Sequence, residues 1–261
     1  MALSKTREKL VRSLHFAKYR DLHGKFIAEG PKLFSDLRSG RFVIDEVFAT
    51  SAFIRMHHKE LEGFADLHEV NEKELQKISA LKTPNEVVCV VNKPKEQPLD
   101  PKTLSNLTLM LDDISDPGNL GTIIRIADWF GIRQVVCSLN SAEVYNPKVV
   151  QASMGSIARV RIEYAALGDF LRELPEDLRV FGALLGGENI YGTNLSGKGV
   201  ILIGNESRGI SADLLPFITS RISIPNYSPE ADRAESLNAA IAAGIICAEF
   251  RRRSDAGHIE Q

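Results

Sequence analysis

The feature that most constrains this chain is a repeated alternation, from Leu107 to Arg252, of short apolar runs with segments of helical period. The runs LTLMLDD (Leu107–Asp113), QVVCSL (Gln134–Leu139), RVRIEY (Arg159–Tyr164), VFGALL (Val180–Leu185), VILIG (Val200–Gly204) and ISIP (Ile222–Pro225) read as strands. Segments near Leu120–Phe130, Lys148–Ala158, Phe170–Leu174, Ala212–Ile218 and Ala234–Arg252 read as the intervening helices. A strand that is apolar on both faces must be covered on both, and crossover helices supply that cover, so the pattern predicts a parallel α/β sheet.

Upstream lies KPKEQPLDPKTLS (Lys93–Ser105), which carries three prolines and almost no large apolar side chain, the composition of an extended linker. At 261 residues the chain accommodates a domain on each side of it. The expected division is a first domain at 1–93, a linker at 94–105 and a second domain at 106–261. The first part reads as a small α/β unit of its own. A helix spans about Leu3–Phe16, and a short strand at Phe26–Glu29 meets the helix start Gly30-Pro31. Helix Pro31–Arg38 turns Leu33, Phe34 and Leu37 inward. Strand Phe42–Ala49, a helix near Phe53–Leu61, an Asn-capped helix at Asn71–Leu81 and strand Glu86–Asn92 complete it.

Charge has to be read by halves. The net value of −2 excludes a uniformly basic nucleic-acid coat, but residues 1–105 hold 18 basic against 15 acidic side chains and residues 106–261 hold 14 against 19, giving +3 and −5. Much of the basic excess surrounds the first helix, at Lys5, Arg7, Lys9, Arg12, Lys18, Arg20 and Lys25. By itself such a run is an ordinary solvated face. Hydrophobic residues at 44% and charged residues at 25% are globular values, and no apolar run reaches the ~20 residues of a membrane span. The N-terminal MALSKTREKL has no signal-peptide core. Cys89, Cys137 and Cys247 are odd in number and embedded in apolar runs, which predicts small core hydrophobes in a reduced, cytoplasmic setting. The six histidines show no ligand spacing, so no metal site is expected.

Glycine-rich strand ends are where α/β sheets hold nucleotides. GTNLSGKG (Gly192–Gly199) nearly spells a P-loop, but Gly199 stands where the Mg²⁺-ligating hydroxyl belongs, and it reads as a turn. Three other clusters each join a strand end to a helix start. In LDDISDPGNLGTIIRIADWFG (Leu111–Gly131), Asn119 is a plausible N-cap and Arg125 sits one and a half turns into the helix, where it could simply pair with Asp128. In VILIGNESRGIS (Val200–Ser211), Gly209 permits a tight turn and Glu206 could be a solvated loop acid. In ISIPNYSPEADRAESLNAAIAAGIICAEF (Ile222–Phe250), Ser236 and Asn238 could simply cap the last helix.

In order and residue type, DPGNLGTIIRIAD, LIGNESRGIS and IP…AESLNAAIAAG resemble the three motifs of the SpoU/TrmH branch of the SPOUT methyltransferases. NPKVVQASMGSIARV (Asn146–Val160) looks like that family's Lys…Ser-Met-Gly segment. The first domain, through FIAEGPKLFSDL and LKTPNEVVCVV, is similar to the L30e-like substrate-binding module that many members carry. One departure is NYSPEADRA (Asn226–Ala234), a glycine-free stretch where the family has a short glycine-containing link.

The resemblance implies a SPOUT domain with a deep trefoil knot, a topology that periodicity alone does not yield. It implies S-adenosylmethionine as methyl donor, held around Gly204, Ile224 and Leu237 largely through backbone groups. It implies transfer to a ribose 2′-hydroxyl of structured RNA, ribosomal rather than transfer RNA, by a homodimer joined through the C-terminal domain. Asn119, Arg125, Glu206, Ser236 and Asn238 are the expected catalytic set. A guanidinium with pKa above ~12 is a poor base, so Arg125 is expected to hold a substrate phosphate and stabilise the developing oxyanion. Lys5, Arg7, Lys9, Arg12, Lys18 and Lys25 are expected to contact RNA phosphates. The alternatives are a catalytically silent RNA-binding or ribosome-assembly factor of the same fold, and a SPOUT enzyme that methylates a base nitrogen.

Overall fold

The computed structural model describes residues 3–95, 97–228 and 236–255, and its chain divides into two compact units. The first comprises residues up to 96 together with Glu143–Arg159. Its elements are α1 (Lys5–Ser13), α2 (Ala17–His23), β1 (Lys25–Glu29), α3 (Pro31–Arg38), β2 (Val43–Ala49), α4 (Ser51–Met56), α5 (His58–Leu61), β3 (Leu67–Glu69), α6 (Glu72–Ile78) and β4 (Val87–Asn92). The sheet order is β1-β4-β2-β3, with β4 antiparallel to both neighbours and β2 parallel to β3. Because β4 is central, its Val87–Val91 run is wholly buried, which explains why it is apolar without alternation. Asn71 caps α6 in a reciprocal capping box with Glu74, as the Asn-x-x-Glu spacing predicts.

Two departures from the sequence reading have clear causes. The region before β1 forms a second helix, α2, whose one buried residue is Arg20. Its guanidinium donates to the Leu14 and His15 carbonyls at 3.0 and 2.9 Å and to the Glu143 carboxylate at 2.8 Å. Charge alone had counted Arg20 among surface cations. Segment Glu143–Arg159, read in the sequence within the second α/β half, packs in the first unit. The Tyr145 ring lies 4.7 Å from that of Phe26, and Arg159 pairs with Asp36 at 3.0 Å. Its helix α8 (Pro147–Ala152) ends six residues before the expected Ala158, because Met154 and Gly155 adopt φ of 50° and 91°. A Cβ on Gly155 would lie 1.8 Å from the Asp36 carboxylate, so the turn needs glycine.

The second unit comprises Gln97–Ala142 and the chain from Val160 onward. Here β5 (Leu107–Leu111), α7 (Pro117–Trp129), β6 (Gln134–Ser138), β7 (Arg161–Ala165), α9 (Leu167–Arg172), β8 (Val180–Asn189), β9 (Gly199–Ile203), β10 (Ser220–Ser223) and α10 (Ala239–Asp255) follow in order. All six strands are parallel, in the order β10-β8-β9-β5-β6-β7. The chain thus starts in the middle at β5, builds outward through β6 and β7, crosses to β8, and then inserts β9 between β8 and β5. That reversal puts a topological switch point between β5 and β9, so the loops leaving their carboxyl ends lie side by side. Gly192–Gly199 leads into strand β9 rather than a helix, as expected of a turn and not of a P-loop. The expected start of the last helix at Ala234 and most of the glycine-free stretch, Pro229–Ala234, lie outside the described residues. The three cysteine thiols are buried and pushed up to about 12 by that burial, which keeps them as neutral thiols. Among the described residues no helix is long and apolar enough to cross a membrane.

Candidate active site

The site is built where the loops after β5 and β9 meet. The Asp112 amide donates to the Ile203 carbonyl at 2.9 Å, the Asn205 side chain to the Asp113 carbonyl at 3.0 Å, and the Ser211 amide to the buried Asp112 carboxylate at 2.7 Å. Arg208 pairs with Asp113, which adopts φ 57°. Sequence reading missed these three anchors, Asp112, Asp113 and Asn205. The available signal was a pair of acids at the end of an apolar strand, where only a loop folded back on them gives them partners.

The β9 loop closes on itself, since Asn205 and Gly209 exchange both backbone hydrogen bonds, at 3.1 and 2.9 Å. A Cβ on Gly204 would stand 2.2 Å from the Gly209 carbonyl carbon, so this position admits no side chain. The turn therefore presents main chain at the strand end.

Asn119 does not cap α7. Asp116 does, accepting from the Asn119 amide at 2.8 Å, with Pro117 at the first helical position. Asn119 is set one turn inside, and its side chain is free for another task. It donates through Nδ2 to Glu206 Oε1 at 2.5 Å and accepts at Oδ1 from Asn238 Nδ2 at 2.9 Å. Asn238 in turn caps α10, its Oδ1 accepting from the Ala240 and Ile241 amides at 3.0 and 3.3 Å. The result is a polarised relay. Backbone amides at the start of α10 fix which end of Asn238 is oxygen, that fixes its amide as donor to Asn119, and Asn119 must then donate to Glu206. Three of the five expected catalytic residues, taken from three separate motifs, are thereby joined.

Arg125 is exposed on α7, and among the described residues it has neither a hydrogen bond nor an ion pair; Asp128 bonds Arg133 at 3.0 Å instead. Ser236 is exposed just before α10, and no bond joins it or Arg125 to the relay. Of the expected cofactor residues, Gly204 immediately follows β9, half-buried Ile224 follows β10, and Leu237, 46% exposed, precedes Asn238. In the first unit, Lys5, Lys9 and Lys18 are exposed without an ion pair among the described residues. Arg7 pairs with Glu46 at 3.0 Å, Arg12 with Glu8 at 3.5 Å and Lys25 with Asp45 at 2.6 Å.

A parallel sheet with an amide–carboxylate relay at its switch point defines an α/β protein with its ligand site at the carboxyl ends of the strands. The chain belongs to the SpoU rRNA methylase family, whose profile matches residues 106–248, and residues 5–89 match the MRM3-like substrate binding domain. It is similar to a protein of the TrmH family from Porphyromonas gingivalis, at 37% identity and TM-score 0.82, over 96% of this chain and 99% of the other. An AdoMet-bound rRNA methyltransferase from Sinorhizobium meliloti superposes with TM-score 0.83 at 30% identity, over 97% and 98% of the two chains. A Bacillus subtilis 23S rRNA (guanosine-2′-O)-methyltransferase is 28% identical over 92% of this chain and 94% of its own.

Proposed function

We propose that this protein transfers a methyl group from S-adenosylmethionine to a ribose 2′-hydroxyl of ribosomal RNA. The observation that carries the reading is the Asn238–Asn119–Glu206 relay at the ends of β5 and β9, with Arg125 unpaired on the same helix as Asn119. The main-chain turn Gly204–Gly209 and the apolar side chains of Ile224 and Leu237 fit a cofactor held by backbone groups and apolar surface. When bound, S-adenosylmethionine supplies the electrophilic methyl group.

The chain's own residues do the rest. Among the described residues Arg125 has no acid partner, so it holds an RNA phosphate and stabilises negative charge as it develops on the 2′-oxygen. It does not take the proton, which passes to that phosphate or to water. The relay keeps Asn119 and Asn238 in one orientation each, so the ribose meets preset groups rather than rotors. Ser236 hydrogen-bonds near the reacting oxygen, and Glu206 holds the β9 loop to α7. Membership of the SpoU family supports a trefoil knot in this unit. Residues 1–93 capture RNA through Lys5, Arg7, Lys9, Arg12, Lys18 and Lys25, and residues 106–261 carry out transfer. Trp129, 84% exposed on α7, and Ile241, 56% exposed on the neighbouring α10, support a homodimer through these helices. The protein works in the cytoplasm, with its rRNA. The test is incubation with S-adenosylmethionine and rRNA lacking its natural modifications. The product linkage becomes resistant to alkali if the 2′-oxygen is methylated, and unaltered cleavage together with no S-adenosylmethionine binding by calorimetry rejects the reading.

A further inference from the structure

Helix α2 is inverted relative to an ordinary amphipathic helix. Its one buried residue is a charged arginine, Arg20, 2% exposed, while its aromatic and aliphatic residues face solvent: Phe16, at its N-cap, is 64% exposed, Tyr19 38% and Leu22 70%. The burial of apolar surface does not explain why this segment is helical, because the side chains that would gain by burial are the ones left outside. What holds it is the set of Arg20 bonds to Leu14, His15 and Glu143. The effect is to present rings. Tyr19 and His23, one turn apart, have ring planes 15° from parallel with centroids 6.4 Å apart, and Phe16 lies one turn before Tyr19.

The surroundings are cationic. Lys5, Lys9 and Arg12 recur at i, i+4 and i+7 on α1, a single helix face, and the chain then runs directly into Phe16. Lys18 Nζ stands 6.0 Å from the centre of the Tyr19 ring. The nearby acids are engaged, Glu8 with Arg12 at 3.5 Å and Asp21 with Lys93 at 2.7 Å, whereas Lys5, Lys9 and Lys18 have no acid partner among the described residues. Unneutralised lysines beside exposed rings, two of them nearly parallel, are the arrangement that accommodates a phosphate backbone and the flat faces of unpaired bases.

We propose that α2 is a stacking platform for unpaired RNA bases. Phe16 and the Tyr19–His23 pair take the bases, and Lys5, Lys9 and Lys18 take the adjoining phosphates. This deepens the RNA methyltransferase reading and rests on it. It adds that the RNA is gripped at single-stranded nucleotides, a loop, bulge or end, rather than along a duplex.

The experiment uses the full chain with two fluorescein-labelled RNAs of equal length, a single strand and a perfect duplex, followed by anisotropy across a salt series. A third probe, the single strand carrying 2-aminopurine, reports stacking through quenching. The expected result is that Phe16→Ala with Tyr19→Ala weakens single-strand binding by about ten- to a hundredfold, abolishes the quenching and leaves duplex binding within about twofold. Phe16→Tyr with Tyr19→Phe keeps both signals. Lys5→Ala with Lys9→Ala weakens both RNAs and flattens the salt dependence. Thermal melting and S-adenosylmethionine calorimetry on each variant establish that the fold and the second unit are intact. The platform is overturned if the double alanine variant binds the single strand like the unaltered protein, if both RNAs weaken equally, or if Phe16→Leu with Tyr19→Leu retains the quenching. It is also overturned if the alanine variant changes oligomeric state instead, which would make α2 a protein interface. Failure of the platform leaves methyl transfer by the unaltered protein in place, whereas failure of the methyltransferase reading removes methyl transfer while the RNA arms still report on α2.

Discussion

Replacing Asn119 by aspartate tests the relay through its electrostatics. Asn119 Nδ2 now donates to Glu206 Oε1 at 2.5 Å. Asn119→Asp replaces that donor by a second carboxylate while leaving the acceptor that Asn238 needs. Two unit charges about 4 Å apart repel by ~1 kcal/mol in water and ~4 kcal/mol at an effective dielectric constant of 20. Both side chains are half-buried, which puts the repulsion near 2 kcal/mol. A negative charge in the first turn of α7 returns about 0.5 kcal/mol. The variant should therefore lose about 1.5 kcal/mol near pH 7.5, a fall of roughly 3–6 °C in melting temperature for a unit of this size. Near pH 4 the two carboxyls can share a proton across the same contact and the deficit should shrink towards zero. The sign follows because the folded variant binds that proton more readily than the unfolded chain, so its stability falls as pH rises. Asn119→Ala lacks the second charge and should show a deficit of ~1 kcal/mol at both pH values. Differential scanning calorimetry of the two variants and the unaltered protein at pH 4.5 and 7.5 measures this directly. If the aspartate deficit is equal at the two pH values, or the alanine variant shares its pH dependence, Asn119 and Glu206 are not coupled as the geometry requires.

Four further outcomes follow from the same structure. Arg125→Lys should lower kcat for methyl transfer at least tenfold, and Arg125→Ala about 10²- to 10³-fold, with little change in melting temperature because Arg125 has no bond among the described residues; near-normal turnover of the lysine variant would remove its role as a bidentate clamp. Gly204→Ala drives a methyl group into the Gly209 backbone, at 2.2 Å, and should abolish S-adenosylmethionine binding in calorimetry. Glu143→Gln leaves buried Arg20 without its counter-charge and should cost about 3 kcal/mol in urea unfolding of the first unit. The Glu249 carboxyl is held down to about 2 by its hydrogen bond to Arg252 and by Arg253; its contribution is full above pH 4.5 and is lost as pH falls through about 2. Glu249→Gln should then destabilise by ~1 kcal/mol at pH 7, after allowance for solvent screening of the arginines, and by nothing at pH 2, as read by chemical denaturation.

The alternation of apolar runs made the parallel sheet legible before any coordinates, and all six of the strands read from it in the second unit are present. Three motifs scattered over 120 residues were grouped in the sequence through a family resemblance, and hydrogen bonds bring one residue of each, Asn119, Glu206 and Asn238, together. The role of Asn119 was not legible. Asn and Asp are equally good caps, and the sequence offers both, three residues apart. Pro117 decides between them, because proline is favoured at the first helical position and so marks Asp116 as the cap. The packing of Glu143–Arg159 in the first unit was also hidden. Helical period says that Val149 and Val150 are buried on one face, but not which sheet covers them.

Arg20 carries the most general consequence. A count of charge assigns it to solvent, where it would add to the basic face of the first helix. Buried, it is neutralised by Glu143, holds α2 in place and turns Phe16, Tyr19 and Leu22 outward. Among the described residues, the free cations of that face then reduce to Lys5, Lys9 and Lys18, since Arg7, Arg12 and Lys25 are also paired. Three lysines are a weak electrostatic footprint, and a protein relying on them alone would release RNA readily at physiological salt. Stacking is far less sensitive to salt than phosphate contact. A surface that gives up an arginine's charge to expose aromatic rings exchanges salt-sensitive, structure-blind attraction for contact with unpaired bases. That makes the first unit a selector of RNA structure as well as a source of attraction for its charge.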